Sequence, residues 1–393
     1  MFGLTFQVIK ILELIFINSF KKLLQFRKIP MKLILSVLLL SILTISSLAE
    51  LKPGTRAPDF PKNSIWLGGG SHSFKTDLKG KVVLVDFWEY TCINCIRTFP
   101  HLKELYQRYH KYGFEIIGVH KGEFAFASVA SNVEAAYRRF KLPYPGIADI
   151  NDKVWDEYNC YTWPDSYLID GNGIIRLNHQ GEGKYGELEK QIQKLLKEIH
   201  PELNFSGYKV PPDKDLFADG CGKQSDEIYI GYDRGNLWGG KIANPEGFQA
   251  DKTVFYKPTS RRVERGFFVQ GKWHNGPDSF TSVSPSTNKN KVSLGITYYG
   301  RDVYSVLGDK DKFPVDLLVT RDGDPVPPLM RGKDLKVNEK GETYVRITEP
   351  RMYYIITKEN SSKHELKFFP LEKGASIYSF TFGNKCLENF DRL

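Results

Sequence analysis

The chain has 393 residues, 41% of them apolar, 13% aromatic and 26% charged, with a formal net charge of +9. That length and composition exclude a disordered chain or one embedded in membrane throughout, and they allow two or three domains whose cores need no disulfide staples. Residues 1–49 hold six Lys or Arg against one Glu, so the remainder keeps only +4 and a nucleic-acid role loses its main support.

From Met31 the sequence "MKLILSVLLLSILTISSLAE" places Lys32 before an apolar stretch, Leu33 to Ile45, and a small-residue exit at Ser47-Leu48-Ala49. This is a secretory signal peptide over residues 31–49. Its mostly apolar stretch of 13 residues falls short of the roughly 20 that span a bilayer, so export to a periplasmic or other extracytoplasmic space is expected, with membrane anchoring if the signal is not cleaved. Residues 1–30 precede a complete signal and form a doubtful upstream extension. Translation from Met31 and a longer leader are both open.

Residues 50–206 alternate strand-like and helix-like segments. "KVVLVDF" (81–87) reads as a buried strand, "IRTFPHLKELYQRYHKY" (96–112) as an amphipathic helix with Pro100 as a kink, and "FEIIGVH" (114–120) as a second strand. "SNVEAAYRRF" places Ser131 and Glu134 in capping-box spacing, which predicts another helix. "SYLIDGNGIIRLNHQ" predicts a hairpin turning at Asp170-Gly171-Asn172-Gly173, and "YGELEKQIQKLLKEIH" (185–200) a closing helix. A linker follows at 207–217, marked by paired prolines.

Residues 218–393 lose the long helix signals. "EIYIGYD", "TVFYKP", "GFFVQGKW", "KVSLGITYYG", "DVYSVLG", "VDLLVTRDG", "ETYVRITEP", "RMYYIITK", "HELKFFPL" and "ASIYSFTFG" are short, rich in β-branched and aromatic residues, and separated by turn formers. They predict an all-β sandwich.

The chemistry gathers at "VVLVDFWEYTCINCIRTFP" (82–100). A Cys-x-x-Cys pair between a strand and a helix places Cys92 and Cys95 at a helix N-terminus, where unpaired N–H groups and the dipole favour a thiolate. Cys92 is the outer sulfur and Cys95 lies one turn inward. A zinc site would need two more ligands, and Cys160, Cys221 and Cys386 are singletons. A purely structural disulfide is the other alternative. Five cysteines in an exported chain leave at least one unpaired.

These residues carry a resemblance. "VVLVDFWEYTCINC" resembles the active-site segment of the thioredoxin fold, and "GTRAPDF" and "SYLIDGNG" resemble the TlpA/ResA branch of exported thioredoxin-like proteins. "DFWEYTCINCIRTFPHL", "GVHKGEFAF", "YTWPDSYLIDGNG", "IYIGYDR", "GRDVYSVLG" and "IYSFTFG" together are similar to DipZ-type proteins over residues 51–384. The resemblance implies an α/β thioredoxin-like domain followed by an all-β jelly-roll sandwich, similar to a carbohydrate-binding module. It implies a thiol-disulfide oxidoreductase with no cofactor, in which Cys92 attacks a substrate disulfide and Cys95 resolves it.

Further roles come from the same resemblance. Pro164 matches the cis-proline of thioredoxin folds, so Trp163 and Pro164, with Trp88, form the substrate-binding surface. Asp86 matches the buried acid that accepts the proton of Cys95, and burial raises the pKa of such a group; the alternative is a carboxylate that caps local structure. Glu123 matches an acidic residue near the site, with proton handling, substrate orientation and helix capping all open. His120 reads as a hydrogen-bonded loop histidine, and Cys160 as either a third thiol or an inert core residue. Cys221 and Cys386 flank the β region and are candidates for a structural disulfide. Trp238, Trp273, Tyr298 and Tyr299 either stack on a glycan or protein ligand or fill the core.

The expected partners are disulfide-bearing exported proteins. DipZ-type proteins carry a membrane electron-conducting portion, which is not read here, so electrons for reduction are expected from a separate membrane thiol transporter of the CcdA/DsbD kind. Ile93-Asn94 supplies neither the Gly-Pro of cytosolic thioredoxins nor a Pro-His oxidase motif, so the direction of transfer is not written in the motif. The other classes considered are a binding module with a thioredoxin-like scaffold and a thiol peroxidase. "APDF" also opens peroxiredoxins, but Thr91 directly abuts Cys92 and breaks their Pro-x-x-x-Thr-x-x-Cys spacing.

Overall fold

The computed structural model describes residues 51–207, 222–238, 240–287, 291–309 and 314–384. The upstream extension, the signal segment, most of the expected linker, Cys221 and Cys386 lie outside the described residues, as does the side chain of Trp238. No helix among the described residues is long and apolar enough to cross a membrane.

The first region is a six-stranded sheet flanked by helices. In chain order it contains β1 (Ile65–Leu67), β2 (Val82–Trp88), α1 (Ile93–Tyr109), β3 (Phe114–His120), α2 (Ala130–Phe140), β4 (Gly146–Ala148), α3 (Lys153–Glu157), β5 (Asp165–Ile169), β6 (Ile175–Gln180) and α4 (Tyr185–Ile199). The strand order is β1-β4-β3-β2-β5-β6. β2 pairs in parallel with β3 and antiparallel with β5, so it sits at the centre. Its apolar run needs no alternation because both faces are covered. Val82, Leu84 and Trp88 enter one core cluster, with Leu102 and Leu105 of α1 and Ile192 and Leu195 of α4. Val83, Val85 and Phe87 enter a second, with Val154 and Trp155 of α3.

Local chemistry explains most boundaries. The expected hairpin forms because Asp170 Oδ1 accepts the backbone N–H groups of Asn172 and Ile174, at 2.9 and 3.0 Å, which folds the chain back between β5 and β6. The helix α1 starts three residues earlier than its expected span and carries Pro100 in its interior. The capping box expected from Ser131 and Glu134 is not formed. The helix α2 begins at Ala130, its N-cap is Val129, and no side chain caps it. Its first turn is held instead by the Val129 carbonyl, which accepts N–H groups from Asn132 and Val133.

Among the described residues the second region is all-β apart from one short α-helix and a 3-10 turn at Pro328–Met330. It comprises β7 (Ile228–Tyr229), α5 (Tyr232–Trp238), β8 (Lys241–Ile242), β9 (Thr253–Tyr256), β10 (Gly266–Asn275), β11 (Phe280–Ser282), β12 (Ser293–Tyr298) and β13 (Asp302–Asp309). After them come β14 (Val315–Arg321), β15 (Asp324–Pro325), β16 (Leu335–Val337), β17 (Thr343–Ile347), β18 (Arg351–Ile356), β19 (His364–Pro370) and β20 (Ala375–Gly383). "EIYIGYD" therefore yields only a two-residue strand, and the chain turns into α5 where a longer strand was expected.

The hydrogen-bonded path runs β16-β17-β14-β19-β12-β10-β11-β20-β13-β18. The first half of β10 pairs with β12 and the second half with β9 and β11, so this strand joins two sheet halves. Between them lies one core that includes Leu317 and Val319 of β14, Phe368 of β19, Tyr353 and Ile355 of β18, and Ile377 and Phe380 of β20. Trp273 and Tyr298 belong to this core and have no exposed surface, which rules them out as stacking platforms in this structure. Tyr299 is half-buried beneath the Lys223 ammonium, 4.3 Å from its ring centroid.

The passage of β10 between sheet halves occurs at Gly271, whose φ is +86° and whose Cβ position lies 2.9 Å from the Lys291 carbonyl oxygen. A side chain there faces both a left-handed backbone and rigid main chain. Gly271→Ala is expected to destabilise the protein by about 1–3 kcal/mol, read as a lower denaturant midpoint at unchanged slope.

Candidate redox site

The site is built where the central strand meets the first long helix. β2 ends at Trp88, a short loop follows, and Cys92 is the N-cap of α1. The loop is closed by the Cys92 N–H donating to the Glu89 carbonyl, 3.3 Å, and the helix begins with the Ile96 N–H donating to the Cys92 carbonyl, 3.1 Å. No acidic side chain occupies the first turn of α1, so nothing there opposes a thiolate at the positive end of the helix.

The two sulfurs differ in exposure. Cys92 is half-buried, whereas Cys95 is 0% exposed and packs in the core beneath the helix. Burial pushes the Cys95 thiol well above its ordinary range, and its hydrogen bond to Cys92 and the charge of Asp86 add to the shift. Among the described cysteines, Cys92, Cys95 and Cys160, none is in a disulfide. Cys160 lies in the opposite core cluster, with Trp155 and Tyr158, on the face of the sheet away from Cys95. The structure therefore places it as a core residue and not as a third thiol of the site.

Asp86 occupies the β2 position between Leu84 and Trp88, on the face that packs against α1. It is 2% exposed, and its Oδ2 has no hydrogen-bond partner among the described residues. Burial, supplemented by Asp165 on the neighbouring strand, raises its pKa to about 7. A carboxyl poised there can take a proton from a buried neighbour.

The peptide bond between Trp163 and Pro164 is cis, as expected, and leads directly into β5. Trp163 is half-buried, stacked near Trp155 at 4.7 Å between centroids, with the Lys121 ammonium 5.6 Å from its ring. Tyr161 beside it is 65% exposed. Trp88 is the correction. It is 1% exposed and packs edge-on against Phe99 and His120, because its place on a doubly covered central strand points it into the core. It does not line a substrate surface.

His120 ends β3 and is also buried; its Nε2 accepts the Tyr90 N–H at 3.3 Å, a hydrogen-bonded histidine as expected, although on a strand end and not a loop. Glu123 is held by residues of the second region. Its carboxylate accepts the Tyr229 hydroxyl and the Arg234 guanidinium, each at 2.7 Å, so its described bonds go to the second region and not to a helix N-terminus. Burial, with Glu227 and Glu89 nearby, raises its pKa to about 8.

Several residues at the site carried no sequence signal of their own. Glu89 is wholly buried and accepts both the N–H of Thr91, at 2.6 Å, and its hydroxyl, which shapes the loop before Cys92. Arg97 bonds Asn94 Oδ1 at 3.3 Å, Glu182 at 3.2 Å and the Tyr304 hydroxyl at 3.4 Å. Ile93 is 3% exposed, packed with Phe124, Tyr304, Val306 and Met352. The available hint was the run of apolar residues on both faces of "DVYSVLG" and "RMYYIITK", which marks strands covered on two sides.

The Asp86 carboxyl makes a signed prediction. Its folded pKa, about 7, lies above the unfolded value of 3.8, so its favourable contribution is complete below pH 4 and is lost as pH rises through 7. Asp86→Asn is expected to gain stability relative to the parent over that window, by up to roughly 4 kcal/mol, read from unfolding midpoints at pH 4 and pH 8.

Comparison with known proteins agrees with this geometry. Residues 53–178 match the AhpC/TSA family and residues 225–383 the thioredoxin-like C-terminal domain family. The DipZ proteins of Mycobacterium bovis and Mycobacterium tuberculosis are each 31% identical over 340 residues, covering 85% of this chain and 44% of their own length. The chain thus spans less than half of those relatives. The thiol-disulfide oxidoreductase ResA of Geobacillus thermodenitrificans is 34% identical over 142 residues, covering 36% of this chain and 77% of ResA. The chain belongs to the thioredoxin-like thiol-disulfide oxidoreductase family, and its two matched regions together align with the DipZ proteins over 340 residues.

Proposed function

We propose that this protein is an exported thiol-disulfide oxidoreductase that reduces disulfides of other exported proteins. The observation that carries the reading is the unequal burial of two cysteines at one helix start: Cys92 is reachable and Cys95 is not.

The steps follow from that inequality. The Cys92 thiolate attacks a substrate sulfur, the substrate S–S bond breaks, and the departing thiolate is protonated by solvent. The mixed disulfide now joins Cys92 to the substrate. Cys95 cannot carry charge where it lies, so it loses its proton to the Asp86 carboxylate as it attacks the Cys92 sulfur. The second substrate thiolate leaves, and the Cys92–Cys95 dithiol, now a disulfide, has given two electrons to the substrate. Trp163, half-buried beside the exposed Tyr161, supplies the surface along which the substrate lies, while Pro164 next to it is buried.

Restoring the dithiol requires an electron source. In an extracytoplasmic space a membrane thiol transporter of the CcdA/DsbD class fits that requirement, since it delivers thiol electrons across the membrane. A ligand-binding role for the second region loses two of its proposed aromatic platforms, because Trp273 and Tyr298 are core residues.

In cells exporting the protein, Cys95→Ser is expected to accumulate mixed disulfides through Cys92, seen as reducible adducts on non-reducing gels, and Cys92→Ser to accumulate none. Equilibration with glutathione gives the direction. A potential near those of strong oxidants such as DsbA, about −120 mV, would reverse the reductase assignment.

A further inference from the structure

The residues between the two cysteines are not free to meet a partner. Ile93 is 3% exposed because the second region lies on it: Tyr304 and Val306 of β13 and Met352 of β18 pack with it and with Phe124, and Ile96 joins the same cluster. Asn94 is engaged through Arg97, whose Nη1 bonds its side chain while Nη2 reaches the Tyr304 hydroxyl. The Arg97 guanidinium also lies 5.6 Å from the Tyr304 ring centroid.

This cover is fixed at several separate points. Arg234 bonds Glu123 at 2.7 Å and also its backbone carbonyl, and Tyr229 donates to the same carboxylate. The Ala125 N–H donates to Asp278 at 3.0 Å, and Arg139 pairs with Glu349 at 2.7 Å. Phe124 and Phe126 stack on each other and both meet Tyr378 edge-on, at 5.3 and 4.8 Å between centroids. An apolar cluster bordered by hydrogen bonds from both sides is a seated interface.

On the other side the rim is open. Tyr161 is 65% exposed, Trp163 is half-buried, and the cis bond before Pro164 starts β5 alongside the same core that Cys92 edges. An extended segment needs only a strand's width, about 4.8 Å, to lie there. A folded protein must bring a rigid disulfide to Cys92 with its surrounding surface, beside a residue, Ile93, that β13 and β18 already cover.

We infer that the second region, seated on the first through the buried Tyr304 and Met352, is a substrate-selecting wall of the redox site, and that it restricts reduction to disulfides carried on extended, unfolded polypeptide. The inference rests on the oxidoreductase reading above and names its substrate class. Specificity here arises from exclusion of the wrong partner and not from added contacts to the right one.

The test uses the full chain and one disulfide in two settings: a small single-disulfide protein in its native state, and the same protein kept unfolded by a core substitution. Parent protein is expected to reduce the unfolded probe at least about a hundredfold faster than the folded one, and Y304A/M352A to lower that ratio about tenfold or more by accelerating the folded probe. Equal rates on both probes for the parent, or an unchanged ratio in a folded double variant, would overturn the wall. If the double variant does not fold, hydrogen exchange on Cys95→Ser trapped with the unfolded probe decides. Protection gained around residues 161–164, with 304–306 and 352–354 unchanged, supports the inference; opening of the latter segments refutes it. Reduction of neither probe by the parent removes the oxidoreductase reading and the wall with it.

Discussion

A thiol with no exposed surface cannot hold a negative charge unless a neighbour accepts its proton, and Cys95 has none exposed. The arrangement of the site follows from that constraint. Two cysteines three residues apart on a helix lie nearly one turn apart, so both reach the same end of α1 while only the first reaches its outer rim. The second must then face the sheet, and the β2 position facing it is Asp86. A carboxyl in that place meets the same penalty on charge, which lifts its pKa to about 7 and makes it a stronger base toward the buried thiol than an ordinary carboxylate. Placing either on an exposed strand face would leave the resolving thiol without an acceptor or the acceptor without reason to wait.

The same opposition between burial and charge governs the seam with the second region. Glu89, Glu123 and Glu227 lie close enough to influence one another, with the Arg234 guanidinium among them. Full ionisation would leave this seam net negative in a poorly solvated place. Burial and mutual repulsion raise both Glu123 and Glu227, and Glu123 reaches about 8, so it is largely protonated at neutral pH. That removes one of the two like charges flanking the Tyr229 hydroxyl, which lies 2.7 Å from Glu123 and 3.1 Å from Glu227. Arg234 offsets part of what remains, and the seam holds as a hydrogen-bonded network between two regions.

How much of this could be read from the sequence depended on how local the physics was. The β2-α1-β3 unit, the hairpin at Asp170 and ten of the fourteen described strands of the second region follow from hydrophobic period and turn chemistry, which act over a few residues. The capping box failed because Ser131 falls inside a helix whose start is set by Val129 backbone bonding, and "IYIGYD" failed because its second half winds into α5. Cys92, Cys95, Asp86 and Pro164 were legible through their motif. Trp88 was misplaced because a motif gives position along a strand, whereas its burial depends on what covers each face. Arg97, Tyr304, Arg234 and Glu123 meet across more than a hundred residues, a pairing that no local pattern encodes.

The outer faces of β13 and β18 give the second region its meaning. Along β13, Val303, Ser305 and Leu307 alternate with Tyr304 and Val306; the valine and leucine enter the sandwich core, and the alternate residues enter the cluster around Ile93. Along β18, Tyr353 and Ile355 point inward while Met352 and Tyr354 point to the first region. An antiparallel sheet that faced water would carry polar residues at those outer positions. Tyr304, Val306 and Met352 there would form an exposed apolar patch if the regions separated, and Ile93, Ile96 and Phe124 would form its complement. The sequence of the second region therefore specifies a docked state, and the docking surface includes a residue from within the Cys-Ile-Asn-Cys motif itself.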